Sequence, residues 1–238
     1  MPYFVDLHCH TSASFDCLAS PESVVKAATS RGLTHLGITD HDRIDGALRA
    51  REAAPEGLTI IVGEEIKTAD GDLIALFLTE AVAPGMSASD TIAAVREQGG
   101  LVGIPHPFDK DRGSMLKDPK TELTTIGRLV DWVEAHNARI VGADGNEKAV
   151  LFAQELGLPG VAVSDAHSTL EVGVAYTVVQ VDPGTPEGML AALTNVQLVT
   201  GRASYIVRTL TPLSKLVNRV RGNRRVIPPS AGSVGPAA

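Results

Sequence analysis

Short apolar runs recur along the chain at 3–9, 33–39, 58–62, 73–78, 101–104, 132–136, 160–164 and 176–181. Runs of this length, rich in Val, Ile and Leu, read as buried strands. Between many of them lie segments with helix boundaries. Ser20-Pro21-Glu22 supplies a cap, a first-turn proline and a first-turn acid, and Gly32 stops that helix. Ser89 opens a second helix that ends near Gly99-Gly100, and Thr185-Pro186-Glu187 opens a third. Strand and helix in alternation predict an α/β architecture with a parallel sheet or barrel.

Length agrees, since 238 residues lie within the range that α/β barrels reach as one domain. Two segments stand apart from the alternation. Residues 109–121, rich in Lys, Asp, Arg, Gly and Pro, read as a long loop of the kind that covers a site. Residues 211–238 follow the barrel domain of 1–210. Thr211-Pro212 starts a helix there with Leu213, Leu216, Val217 and Val220 on one face, expected to pack its apolar side on the barrel. Its alternative role is a basic arm for nucleic acid or an anionic membrane, and 228–238 read as a disordered Pro/Gly/Ser/Ala tail.

Composition narrows the class. Hydrophobic residues are 44% and charged residues 21%, as in globular proteins, and no apolar run approaches the roughly 18 residues that span a bilayer. The amino terminus lacks the basic and apolar regions of a signal peptide, so the expected location is the cytoplasm. Cys9 and Cys17 are the two cysteines, without a CxxC spacing, which fits a reducing compartment. Net charge is −7, yet 211–238 carry Lys215, Arg219, Arg221, Arg224 and Arg225 and no acid. The remainder stands at −12, which argues against broad, nonspecific nucleic-acid binding.

Chemistry enters at the strand ends. Asp6-Leu-His8-Cys-His10, Thr39-Asp40-His41-Asp42, Gly63-Glu64-Glu65, Pro105-His106-Pro107 and Ser164-Asp165-Ala-His167 each place His, Asp or Glu at or just after the carboxyl end of an apolar run. In α/β folds those ends share the face that carries the active site. On a strand His8 and His10 point one way and Cys9 the other. A lone HxH, or a histidine between prolines, often only satisfies a local hydrogen bond. Five such segments converging on one rim predict a metal site. His35, at the start of its strand, and His136, offset by one from Asn137, are expected to play structural roles.

These motifs resemble the PHP (polymerase and histidinol phosphatase) family of phosphoesterases. The likeness rests on Asp6-Leu-His8-Cys-His10-Thr-Ser, Ser14-Phe-Asp16, Gly37-Ile-Thr-Asp40-His41-Asp42, Gly63-Glu-Glu65-Ile, Pro105-His106-Pro and Ser164-Asp165-Ala-His167, and extends through Gly173-Val-Ala-Tyr-Thr177 to about residue 200. It implies a distorted (β/α)7 barrel with two or three divalent ions. His8, His10, Glu65 and Asp165 would hold one ion. Asp16 and His41 would hold a second with Glu65 bridging, and His106 and His167 would complete a third or share in the others. Asp40 and Asp42 would orient ligand histidines. Two departures from familiar members bear on the third ion: Asp72 follows Gly71 where many relatives have histidine, and Asn137 stands where some have histidine or cysteine.

Mixed imidazole and carboxylate donors suit Mn²⁺, Fe²⁺ or Zn²⁺ better than Mg²⁺ or Ca²⁺. Such a pair of ions lowers the pKa of a bridging water and clamps phosphoryl oxygens, so hydrolysis by a metal-bridging hydroxide is expected, with no protein nucleophile. Lys67, Arg43, Arg112 and Asn137 are the candidates to contact substrate. The expected substrate is a small phosphomonoester such as a nucleoside, sugar or amino-alcohol phosphate. The alternatives are 5′–3′ exonuclease action on a short oligonucleotide, which 4% aromatic residues mildly disfavours, and a metal-binding regulatory protein without catalysis.

Overall fold

The computed structural model describes residues 1–109, 114, 122–140, 144–204, 207 and 210–225. Arg112, nearly all of the 109–121 loop and the 228–238 tail lie outside those residues. In chain order the elements are β1 (Tyr3–Asp6), α1 (Pro21–Ser30), β2 (His35–Ile38), α2 (Asp45–Ala53), β3 (Thr59–Lys67), β4 (Asp72–Leu76), α3 (Ala88–Glu97) and β5 (Leu101–Ile104). There follow α4 (Glu122–Gly127), β6 (Trp132–Asn137), α5 (Gly145–Leu156), β7 (Gly160–Val163), β8 (Tyr176–Val179), α6 (Pro186–Ala192), β9 (Gln197–Val199) and α7 (Leu210–Val220). The caps behave as their residue types dictate. Ser20 accepts from the Ser23 amide and Thr185 from that of Gly188, while α3 begins at Ala88 because Ser87, rather than Ser89, caps it.

One sheet runs in the order β7-β6-β5-β4-β3-β2-β1-β8-β9. It curls until its far strands meet. Cys9 bridges Ala166, the Ser164 amide donates to Asp6 Oδ1 at 3.0 Å, and Thr177 of β8 exchanges side-chain bonds with Ala162 of β7. The result is the expected distorted, nearly closed α/β barrel.

The sheet is mixed rather than parallel throughout. β1–β2, β2–β3, β5–β6 and β6–β7 are parallel, whereas β3–β4, β4–β5, β1–β8 and β8–β9 are antiparallel. The cause at β3–β4 is the turn at 68–71, since a connection this short can join only antiparallel strands. Thr68 closes it by donating its amide and hydroxyl to the Gly71 carbonyl. Strand β3 also runs five residues past Val62, where its apolar run ends, so Glu64 and Glu65 lie within a strand rather than beyond its end. Gly63 permits this, because a Cβ there would sit 2.6 Å from the Ala75 carbonyl oxygen on β4. β9, a short edge strand, has no counterpart among the sequence expectations.

The barrel interior is filled by Val5, Leu7, Ile61, Ile74, Leu76, Leu101, Trp132, Val161, Val163 and Val179, and Met189, Ala192 and Leu193 of α6 join the same cluster. The other face of the sheet packs on α1, α2 and α3 through a second cluster that includes Val24, Ala28, Ala47, Ile92 and Val95. Helix α7 inverts the expected orientation. It buries Ser214 and Asn218, while Leu213, Leu216 and Val220 are 52%, 61% and 82% exposed. Its anchors are polar: Asn218 Nδ2 donates to the carbonyls of Ser14 and Cys17, at 3.2 and 2.9 Å.

Candidate metal centre

The two histidines after β1 are held in a defined tautomer. His8 Nδ1–H donates to Glu134 Oε1 at 2.6 Å. His10 Nδ1–H donates to Ser14 Oγ at 3.1 Å, and that hydroxyl donates onward to Asp40 Oδ1 at 2.8 Å. In the neutral rings each Nε2 is therefore a lone pair, and the two stand 3.0 Å apart. Two lone pairs so close repel unless a cation lies between them.

Carboxylates complete the group. His8 Nε2 and His10 Nε2 are each 3.4 Å from Glu65 Oε2 and 3.6 Å from Asp165 Oδ1. Donors about 2.1 Å from a shared ion stand roughly 3–4 Å from one another, so His8, His10 and Asp165, with Glu65 beside them, suit a divalent transition ion. A second group lies beside it: Asp16 Oδ2 is 3.3 Å from both His41 Nε2 and His167 Nε2, and His10 borders the same cluster. Glu65 joins the two through His41 Nδ1, at 3.1 Å from Oε2. Its other oxygen is 3.2 Å from His106 Nε2, and Asp72 closes a third corner with that pair. Asp16 Oδ1, His41 Nδ1 and His106 Nδ1 are buried and have no hydrogen-bond partner among the described residues, as donors that await an ion would.

The electrostatics divide the histidines. Burial, with His167, His41 and His8 close by, lowers the His10 pKa to about 3, which keeps that ring neutral and fit to coordinate. At His8 and His41 burial acts the same way, but the surrounding carboxylates outweigh it and raise the pKa, to about 9 for His41, so a proton there occupies the place an ion would take. Burial would raise the Glu65 and Asp16 carboxyls, but the surrounding imidazoles outweigh it and hold both well below the usual range. Backbone strain accumulates at the same rim. Asp42, His106 and Asp165 adopt φ of +56°, +28° and +52°, values seldom taken by residues other than glycine and found most often at functional sites.

All eight expected ligands thus converge, with His106 and His167 on opposite sides of the cluster. Asp40 accepts from Thr11 N, Thr11 Oγ1 and Ser14 Oγ, and so steers His10 through a serine. Asp42 orients no histidine; it accepts from the Lys67 amide and from Arg225. The substrate candidates fare worse. The Arg43 guanidinium is ion-paired to Asp45 and the Lys67 side chain is exposed, and neither lines the pocket. Asn137 is fully buried and donates to Glu134 Oε2 and Asp165 Oδ2, so it positions a ligand rather than touching substrate. His35 and His136 keep structural roles, bonding to Asp182 and to the Gly201 carbonyl.

Sequence reasoning missed three residues. Glu134 links His8, the His106 amide and Asn137. A bulge in β6 hid it, because the register shifts between Glu134 and His136 and brings Glu134 and Asn137, three apart, to one face. Lys215 and Arg225, from the segment read as a packing helix or a basic arm, line the pocket of about 220 Å³ together with Phe15, over whose ring Lys215 Nζ sits at 5.4 Å.

A family model described as PHP domain matches residues 6–112, and one described as PHP-associated matches 144–198. An uncharacterized protein of Methanocaldococcus jannaschii is 34% identical over 173 residues, which are 72% of this chain and 68% of that protein. The chain thus spans about two thirds of that relative's length. A 5′-3′ exoribonuclease of Haemophilus influenzae is 45% identical over 64 residues, 26% of this chain and 23% of that protein. Among solved structures, a two-domain protein of Bacteroides vulgatus containing a predicted PHP-like metal-dependent phosphoesterase superposes with a TM-score of 0.70 at 21% identity, over 84% of this chain and 65% of that one.

Proposed function

Because the chain belongs to the PHP family of metal-dependent phosphoesterases, we propose that it hydrolyses phosphomonoesters of small molecules, a nucleoside phosphate foremost, with at least two divalent ions held by His8, His10, Asp16, His41, Glu65, Asp165 and His167. One observation carries the reading: the donor quartet of His8, His10, Glu65 and Asp165 reaches, through Glu65 and Asp165, the pocket that also holds Lys215 and Arg225. The ions, when bound, supply Lewis acidity and a water ionised near neutral pH. The chain does the rest. Glu134 and the Ser14–Asp40 pair aim two imidazole lone pairs inward. Lys215 and Arg225 offer N–H donors to phosphoryl oxygens. Phe15 gives the leaving group an apolar wall, and about 220 Å³ admits a phosphoryl group with little more, so the body of the substrate lies toward the opening. Neither cysteine competes as a nucleophile, since burial pushes both thiols well up.

A second reading, 5′–3′ cleavage of short oligonucleotides, is favoured by the likeness to the exoribonuclease and by the cations at the pocket. A screen of phosphomonoesters, cyclic nucleotides and 5′-phosphorylated oligonucleotides with Mn²⁺-loaded protein separates the two. Phosphate release from monoesters, reduced at least about a hundredfold in Asp165→Asn, is expected. Stepwise release of mononucleotides at the higher kcat/KM would favour the second reading. Bound metal without turnover of any phosphoester would sink both and leave a metal-binding regulatory protein.

A further inference from the structure

The carboxyl-terminal segment returns to the centre. After α7, Asn223 Nδ2 donates to the carbonyls of Ala13 at 3.0 Å, Ser14 at 3.3 Å and Ser12 at 3.4 Å, in the loop that carries Asp16. The chain then delivers Arg225 across the pocket. Its Nε donates to Asp42 Oδ2 at 2.8 Å and its Nη2 to Asp72 Oδ1 at 3.0 Å. Both carboxylates are buried.

Asp72 is one member of the Glu65–Asp72–His106 corner, whose two carboxylates and one imidazole have the donor chemistry of a divalent-ion site. That corner already faces a cation. A guanidinium stays protonated at any pH a protein meets, and its planar fork matches a carboxylate edge. An ion entering beside it would meet a like charge in a buried setting and would have to compete for Asp72. Arg225 Nη1 has no acceptor among the described residues, so both of its N–H donors remain for a phosphoryl oxygen.

We propose that Arg225 takes the place of a third metal ion: the centre holds two ions per chain, and the guanidinium supplies the third positive charge at the Glu65–Asp72–His106 corner. The proposal rests on the metal-centre reading above and accounts for the pairing of buried Asp72 with Arg225. Aspartate can bind either a metal or a guanidinium, and here the guanidinium already holds it.

The test counts metal directly, by plasma mass spectrometry after saturation with Mn²⁺ and desalting. Wild type and Arg225→Lys are expected at two ions per chain, and Arg225→Gln, with a melting transition showing it folded, at a value shifted toward three. Asp72→Asn gives a second arm independent of the Arg225 variants, and two ions are expected there also. Three ions in wild type falling to two in Asp72→Asn would overturn the proposal, as would folded Arg225→Gln remaining at two. The count involves no turnover. Two ions with no hydrolysis would therefore refute the proposed function alone, and three ions with hydrolysis would refute this inference alone.

Discussion

Glu134 shows how much a single carboxylate can organise. One oxygen fixes the His8 tautomer and the other accepts from the His106 amide and the Asn137 side chain, so two metal-facing segments share one support. Replacement by Gln keeps the shape but removes the charge and turns one acceptor into a donor. Glu134→Gln is expected to weaken Mn²⁺ binding by about 10–100-fold, read by competition with a chelating dye, while the metal-free protein keeps its fold. His35 offers a contrasting case away from the centre. Burial, only partly opposed by Asp182, lowers its pKa below the usual 6.5. The unfolded chain then takes up a proton that the folded chain resists, so this residue's stabilisation is complete above pH 6.5 and is lost as pH falls below it. The melting temperature of wild type relative to that of His35→Gln should therefore fall between pH 7.5 and 5.5, and an unchanged difference would show that His35 does not contribute.

At the level of elements, the loops after β1 and β2 were legible because their polar residues stand out against apolar runs. The site residues on β3 and β6 were harder to place, for opposite reasons. In β3 the acids continue a strand whose apolar run had ended at Val62, so Glu65 reads as lying at or just past the strand's end although it pairs with Ile74 of β4. In β6 the bulge breaks the alternation on which the sequence argument relies. Helix α7 was misoriented because its apolar stripe predicts burial, whereas the loop beneath it presents backbone carbonyls to which Asn218 and Asn223 donate. Helix α2 approaches the centre closely at Gly46, where a methyl group would collide with the Asp40 carboxylate and the Thr11 hydroxyl. Gly46→Ala should displace Asp40 from Thr11 and Ser14, costing about 1–3 kcal/mol in denaturant unfolding and weakening metal binding through His10.

Across the whole molecule, five imidazoles and four carboxylates crowd one end of the barrel, namely His8, His10, His41, His106 and His167 with Asp16, Glu65, Asp72 and Asp165. Bound ions should therefore stabilise the fold as well as arm it. At metal concentrations about 100 times the Kd the linkage is roughly 2.7 kcal/mol, equivalent to about 5–10 °C in Tm for a chain of this size. Calorimetry with excess Mn²⁺ and then with EDTA should show that difference, and coincident transitions would show that metal does not reside in the folded centre. The order of the strands has a further consequence, for synthesis. β1 lies between β2 and β8, and its extension bridges Ala166. At about 5–20 residues per second, His8 leaves the ribosome roughly ten to thirty seconds before Asp165. Throughout that interval the nascent chain presents an open two-histidine chelate, and the quartet closes only after Asp165 has followed His8 out.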